Sequence, residues 1–204
     1  VSYFSFKMLH TIVEAYKGKI QGLSFWNYLN YILFFPSYTS GPINRFNHFA
    51  QQLDDRRPRP FWDDVKSGSE RIVHGLFKKF VLVQIVFPYT HIIGGDAGAL
   101  SQLSFPRIIL GLYAYALYFY YDFSAYSDLA IGAGRILGIV LPENFNNPFL
   151  RRNIRELWAN WHMSLTQWLI DYIYWPLVRR FRNVDYFRTH PLLLSVLAMT
   201  ITFL

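Results

Sequence analysis

The chain has 204 residues, of which 52% are hydrophobic and 20% aromatic, with a net charge of +7 and no cysteine. Without cysteine there is no disulfide framework, thiolate nucleophile or thiolate metal site, and no nucleic-acid-binding motif accompanies the positive charge. The aromatic content exceeds what a soluble core needs and suits the interfacial belts of a bilayer protein.

Residues 1–16 read as an aromatic helix of uncertain depth that carries Lys7, His10 and Glu14. Between Lys19 and Arg45 the chain is free of charge, which makes 20–44 the first choice for a spanning helix of about 20 residues. Pro36 and Gly41-Pro42 interrupt it, so the helix should end near Phe35. From Gln51 to Glu70 the chain is polar, and it predicts a cytoplasmic loop followed by a surface helix capped at Ser67 or Ser69. Residues 71–93 alternate basic and apolar, with Lys78 and Lys79 placed to snorkel at the interface. GGDAG at 94–98 reads as a loop on the opposite side.

Residues 106–121 re-enter the membrane, with Pro106 in the first helical turn. The helix continues from Asp122 towards Leu141, and Gly132, Gly134 and Gly138 allow neighbours to approach closely. Pro142 and Pro148 bracket a break, PENFNNP. Asn153 and Glu156 form a capping pair for a helix predicted to run to Tyr174. On it Trp158, Trp161, Leu165, Trp168 and Tyr172 recur at spacings of three and four, with His162 beside that apolar face. A last apolar helix starts at Pro191.

The fold class that follows is all-α: a polytopic transmembrane helical protein with interfacial helices. Mean hydropathy of +0.14 fits helices that carry polar groups. Arginines at 56, 57 and 59 and again at 179, 180 and 182 lie between apolar segments, as the positive-inside rule requires of cytoplasmic loops. The chain starts at Val1 without a methionine, shows no leader and stops at Leu204 inside an apolar run. It reads as one membrane-embedded domain over 1–204, incomplete at both ends.

Ionisable groups in hydrocarbon are costly, so they pair, face a protein-lined cavity or mark a substrate path. His162 in W-H-M-S-L is the leading candidate, because an imidazole titrates near neutral pH and serves as base or hydrogen-bond partner. The plainer alternative is a histidine that bonds a carbonyl between helices. Ser124, Asp128 and Arg135 share nearly one helical face, which makes either a substrate-facing stripe or an internal ion pair. Asn144 and Asn146 either brace the PENFNNP turn or contact substrate, and Trp161 stands beside His162. The histidines show no metal-ligand spacing, and neither a phosphate-cradling loop nor a serine elbow is present. A transporter or channel subunit, with Asp128, Arg135 and His162 along a conduction path, is the rival of another class. A soluble, basic, aromatic-rich binding domain is the third, and the uncharged run argues against it.

FFPSYTSGPINRF at 34–46, DFSAYSDLAIGAGRILG at 122–138 and PENFNNPFLRRNIRELWANWHMSLTQWLIDYIYWPL at 142–177 together resemble the membrane-bound O-acyltransferase family. The resemblance is to its bacterial branch, which includes alginate O-acetyltransferase and the D-alanyl transfer protein of teichoic acid synthesis. YSDLAIGAGR leans to the first and PSYTSGPINRF to the second. The resemblance implies a buried tunnel and acyl transfer, most simply acetyl, from a cytoplasmic thioester to a hydroxyl. The donor would be acyl-CoA or an acyl-carrier protein, a co-substrate rather than a bound cofactor. Membrane lipid is one implied partner; a polysaccharide acceptor or an extracytoplasmic partner acyltransferase is another. The implied location is the inner, cytoplasmic membrane of a bacterium, crossed several times. The resemblance makes His162 catalytic, while Ser124, Asp128, Arg135, Asn144, Asn146 and Trp161 stay the substrate-binding candidates that the residues themselves suggest. It also implies a second histidine, in a G-x-W-H-G-like segment on the next helix. His190, in Thr-His-Pro, lacks those flanks, so these 204 residues are expected to hold half of the pair.

Overall fold

A computed structural model describes residues 3–20, 22–38, 40–55, 60–92 and 103–203. Arg56, Arg57, Arg59 and the GGDAG loop lie outside the described residues, so the loops they were expected to form are not characterised. All regular structure among the described residues is helical: α1 Tyr3–Tyr16, α2 Phe25–Leu33, α3 Phe46–Asp54, α4 Phe61–Thr90 and α5 Phe105–Ile136. These are followed by α6 Ile154–Ala159, α7 over 163–181, α8 Asp185–Thr189 and α9 Pro191–Phe203.

The first helix is inverted relative to a soluble one. Lys7, His10 and Glu14 point into the protein at 1%, 2% and 6% exposure, whereas Leu9, Ile12 and Tyr16 face outward. Lys7 Nζ donates to the Tyr31 carbonyl at 3.2 Å and the Ser37 hydroxyl at 2.8 Å. The Phe46 N–H donates to His10 Nε2 at 3.0 Å, which leaves the His10 Nδ1 proton for Tyr172 Oη at 2.6 Å. Polar groups inward and apolar groups outward is an arrangement that lipid tolerates and water does not.

The uncharged run at 20–44 does not form a spanning helix. Gly18 and Gly22 take positive φ before α2, and Pro36 opens a 3-10 turn after it. The nine residues of α2 rise only about 14 Å, roughly half a hydrocarbon core. Among the described residues the one helix long and apolar enough to cross is α4, Phe61–Thr90. It begins at Phe61, so Ser67 and Ser69 lie inside it and cap nothing; Asp63 and Asp64 complement its first turn instead. A π-helical turn at Lys78–Leu82 interrupts it.

The 32 residues of α5 pack along α4. Contact is closest where two glycines meet: a Cβ on Gly132 would lie 2.6 Å from the Gly68 carbonyl oxygen, and one on Gly68 would lie 2.7 Å from that of Gly132. Both obstacles are backbone, so Gly132→Ala should destabilise by about 1–3 kcal/mol through forced helix separation. Thermal melting in detergent checks this; an unchanged melting temperature would mean that the two helices are free to slide. Beyond α5, Gly138 takes φ 79° and turns the chain so that 139–141 folds back onto the core of Tyr31, Ile32, Phe46, Phe49 and Ala130.

The predicted 153–174 helix is broken in two. Asn153 does cap α6, accepting from the Glu156 N–H at 2.9 Å and donating to its carboxylate at 3.0 Å. The helix nevertheless ends at Ala159, and α7 restarts at Met163. Trp158 and Trp161 therefore do not share a helical stripe with Leu165, Trp168 and Tyr172.

Candidate functional site

His162 occupies the break. Its backbone is left-handed, at φ 43° and ψ 51°, and it is the residue from which α7 starts. For a residue other than glycine that conformation costs about 1–3 kcal/mol and persists only where its surroundings impose it. The peptide joining His162 to Met163 is held at both ends: the Met163 N–H donates to the Asn144 carbonyl at 2.8 Å, and the His162 carbonyl accepts from the Thr166 N–H at 3.0 Å. The imidazole leaves the helix axis and enters an aromatic enclosure. The Phe123 ring meets it edge-on at 4.7 Å, Phe145 lies parallel at 6.4 Å, and the Tyr3 hydroxyl is 3.3 Å from Nε2. With Tyr3 donating, Nδ1 carries the proton; with Nε2 protonated, the imidazole becomes a donor to Tyr3. His162 is 9% exposed, so the carbonyl-bridging alternative competes with a chemical one on burial alone. Its recorded side-chain partner is a hydroxyl rather than a backbone carbonyl.

Phe145 and Met163 also line a cavity of about 390 Å³, whose other walls include Arg71, His74, Lys78, Ser124, Asp128, Glu143 and Asn146. Ser124 and Asp128 thus lie together on one cavity wall, as their spacing requires. Asp128 is bound by cations: Oδ1 accepts from Arg71 Nε and Oδ2 from Lys78 Nζ, both at 2.6 Å. The other end of the Arg71 guanidinium reaches Glu143 at 2.5 Å. Lys79 pairs with Asp122. Lys78 and Lys79 therefore serve as counter-ions to α5 rather than as snorkelling interface residues. Arg71 and Lys78, one heptad apart on α4, carry the pairing; their spacing was the available signal, masked by the expectation of an interfacial run with snorkelling lysines.

Arg135 does not join that cluster. Its Nε lies 2.7 Å from Asp64 Oδ1, on the wall of a neighbouring cavity of about 340 Å³. Asp128 and Arg135 are each ion-paired within the bundle, but with α4 and not with each other. Asn146 is held by its main chain, its N–H donating to the Asn160 carbonyl at 3.1 Å while its carbonyl accepts from Arg151 Nη2 at 2.6 Å. Asn144 is completely buried. Trp161 points to the side of the enclosure, parallel to Phe119 at 6.0 Å and edge-on to Phe145 at 5.2 Å. Among the described residues no continuous tunnel is evident; the cavity lined by Met163 and its neighbour are separate hollows that share Arg71, His74 and Glu143.

An all-helical protein with an inverted first helix, a charge-paired interior and a histidine in an aromatic enclosure beside a polar cavity fits a membrane enzyme. The chain belongs to the MBOAT, or membrane-bound O-acyltransferase, family, whose model matches residues 1–199. It is 34% identical over 85% of its length to a teichoic acid D-alanyltransferase of Bacillus subtilis, covering 44% of that protein. It is 33% identical over 85% of its length to a probable alginate O-acetylase of Azotobacter vinelandii, covering 34% of that one. A teichoic acid D-alanyltransferase of Streptococcus thermophilus is 34% identical over 87% of the chain, with 43% covered. The chain thus spans less than half the length of these curated relatives.

Proposed function

We propose that this chain is the core of a multi-pass membrane O-acyltransferase in the bacterial cytoplasmic membrane. It moves an acyl group, acetyl in the first instance, from a cytoplasmic acyl-CoA or acyl-carrier thioester to a hydroxyl. The acceptor hydroxyl belongs to an extracytoplasmic polysaccharide or to a partner acyltransferase that passes the group on. The observation that carries the reading is the placement of His162: a strained helix start that aims an imidazole into an aromatic enclosure next to a polar cavity.

The reaction needs little beyond that. The acceptor oxygen attacks the thioester carbonyl, the carbon–sulfur bond breaks, and the acceptor's proton ends on the departing thiolate. A hydroxyl is a weak nucleophile at neutral pH, so an imidazole must take that proton during attack. His162 orients or polarises one reactant, and the base is the second histidine that the family resemblance implies. Aromatic walls keep water from competing for the acyl carbon. The single domain over 1–204 is the scaffold for this step. A conduction path is less well supported, because Asp128 and Arg135 are ion-paired, Asp128 through both carboxylate oxygens.

Both kinds of relative make the acyl group an open choice between acetyl and D-alanyl. Intact native protein in proteoliposomes should be given acetyl-CoA, an acetyl-carrier thioester and a D-alanyl-carrier thioester in turn, with polysaccharide or teichoic acid as acceptor. The expected result is acetyl ester formation on polysaccharide. Ester formation only from the D-alanyl thioester would replace acetyl by D-alanyl, and ion or solute flux with no thioester consumed would reject the enzyme.

A further inference from the structure

Asn144 is a candidate substrate ligand by sequence, yet it has no exposed surface, so it cannot touch a substrate in this conformation. Every hydrogen bond recorded for it runs to the elements around His162. Its carbonyl accepts from the Met163 N–H at 2.8 Å, which is the N–H of the peptide that follows His162. Its side-chain Oδ1 accepts from the Ser164 hydroxyl at 2.5 Å, and its Nδ2 donates to the Ser127 hydroxyl on α5 at 3.1 Å. Ser164 in turn accepts from the Ile43 N–H at 2.9 Å.

We infer that Asn144 is the positioning residue of His162: it clamps the left-handed turn from which the imidazole projects and ties that turn to α5 and to the segment at 40–45. Three features make this more than a buried asparagine finding partners. One residue grips the chain both at the peptide after His162, through its main chain, and two residues beyond it, through its side chain. The direction of the relay is fixed, because Asn144 Oδ1 can only accept, so Ser164 spends its one proton there while a lone pair takes the Ile43 N–H. The conformation it holds is one that an unconstrained histidine seldom adopts. Ser127 completes the link, and through it the imidazole is referenced to the helix that carries Ser124 and Asp128 on the cavity wall.

The inference rests on the catalytic reading of His162, and the test separates the two. Asn144→Ala, Ser164→Ala and Ser164→Thr are made in the intact native protein. Acyl transfer is measured alongside the rate at which diethyl pyrocarbonate modifies His162, followed by peptide mass. Misplacing a catalytic group by an ångström costs up to about 100-fold, so Asn144→Ala and Ser164→Ala should lower kcat by about 10- to 100-fold with KM little changed. His162 should be modified faster in both, and Ser164→Thr, which keeps the hydroxyl, should restore slow modification and turnover. If Asn144→Ala does not accumulate in the membrane, the Ser164 pair decides. A raised KM with unchanged kcat and unchanged His162 modification would return Asn144 to substrate binding and overturn the proposal. Unchanged modification in the Ser164→Ala protein would overturn it as well. Full turnover by a His162→Ala protein would sink the catalytic reading, whereas the modification rate reports the clamp by itself.

Discussion

His162→Ala in the intact native protein is expected to lower acyl transfer by about 100-fold or more, the usual cost of losing acid–base or polarising help from a positioned imidazole. The site makes the control informative. Alanine removes the ring from Phe123, Phe145 and Tyr3 and leaves a non-glycine residue at φ 43°. Some destabilisation is therefore expected whatever His162 does. His162→Gly removes the same ring but suits the left-handed turn, so it separates backbone strain from lost chemistry. If the role is chemical, the two variants are equally inactive while glycine melts no lower than alanine. If the role is to bridge helices, the loss appears as roughly 1–3 kcal/mol of stability from an unpaired buried partner, with activity surviving in whatever remains folded.

Asp128→Ala is expected to be the most destabilising single change in the interior. The Asp128 side chain is 5% exposed and neutralises both Arg71 and Lys78, so its removal strands two partly buried cations between α4 and α5. Breaking one side of a buried pair costs about 3–5 kcal/mol, and the partial exposure of both cations puts the expectation at the lower end. Pairing the change with Lys78→Met should recover part of the loss, because one of the stranded charges goes with it. Glu143 remains to hold Arg71. Thermal melting in detergent of the two singles and the double checks this. A double variant no more stable than Asp128→Ala would mean that Lys78 reaches solvent without help.

The sequence made the helical class, the PENFNNP break and the Asn153 cap legible, because each depends on local chemistry. Proline and glycine positions and a capping pair say the same thing in any tertiary setting. Three expectations failed, the first for a local reason and the other two for non-local ones. The uncharged run at 20–44 was the first choice for a spanning helix; its end near Phe35 holds, since α2 stops at Leu33, but the chain reaches helical conformation only after Gly22 and leaves nine residues. The basic and apolar alternation over 71–93 suggested lysines snorkelling at the interface, yet Arg71, Lys78 and Lys79 pair with Asp128 and Asp122 from α5, which no window along the chain can show. The tryptophan periodicity across 158–172 was genuine as spacing and misleading as structure. Asn144, through its bond to the Met163 N–H, and the left-handed turn at His162 interrupt the helix between Ala159 and Met163. That interruption is also what takes His162 out of the stripe and into the enclosure. Tyr3, its partner, lies 159 residues away in sequence and had no signal there.

The most direct measurement is a stoichiometry. Intact native protein in proteoliposomes is supplied with an acyl thioester on one side and a hydroxyl acceptor on the other, and free thiol and new ester are counted together, with His162→Ala in parallel. The account predicts one ester formed for each thiol released, with both lost together in the variant. Thiol released without ester would make the protein a thioester hydrolase, and equal ester yield from the His162→Ala protein would contradict the site proposed here.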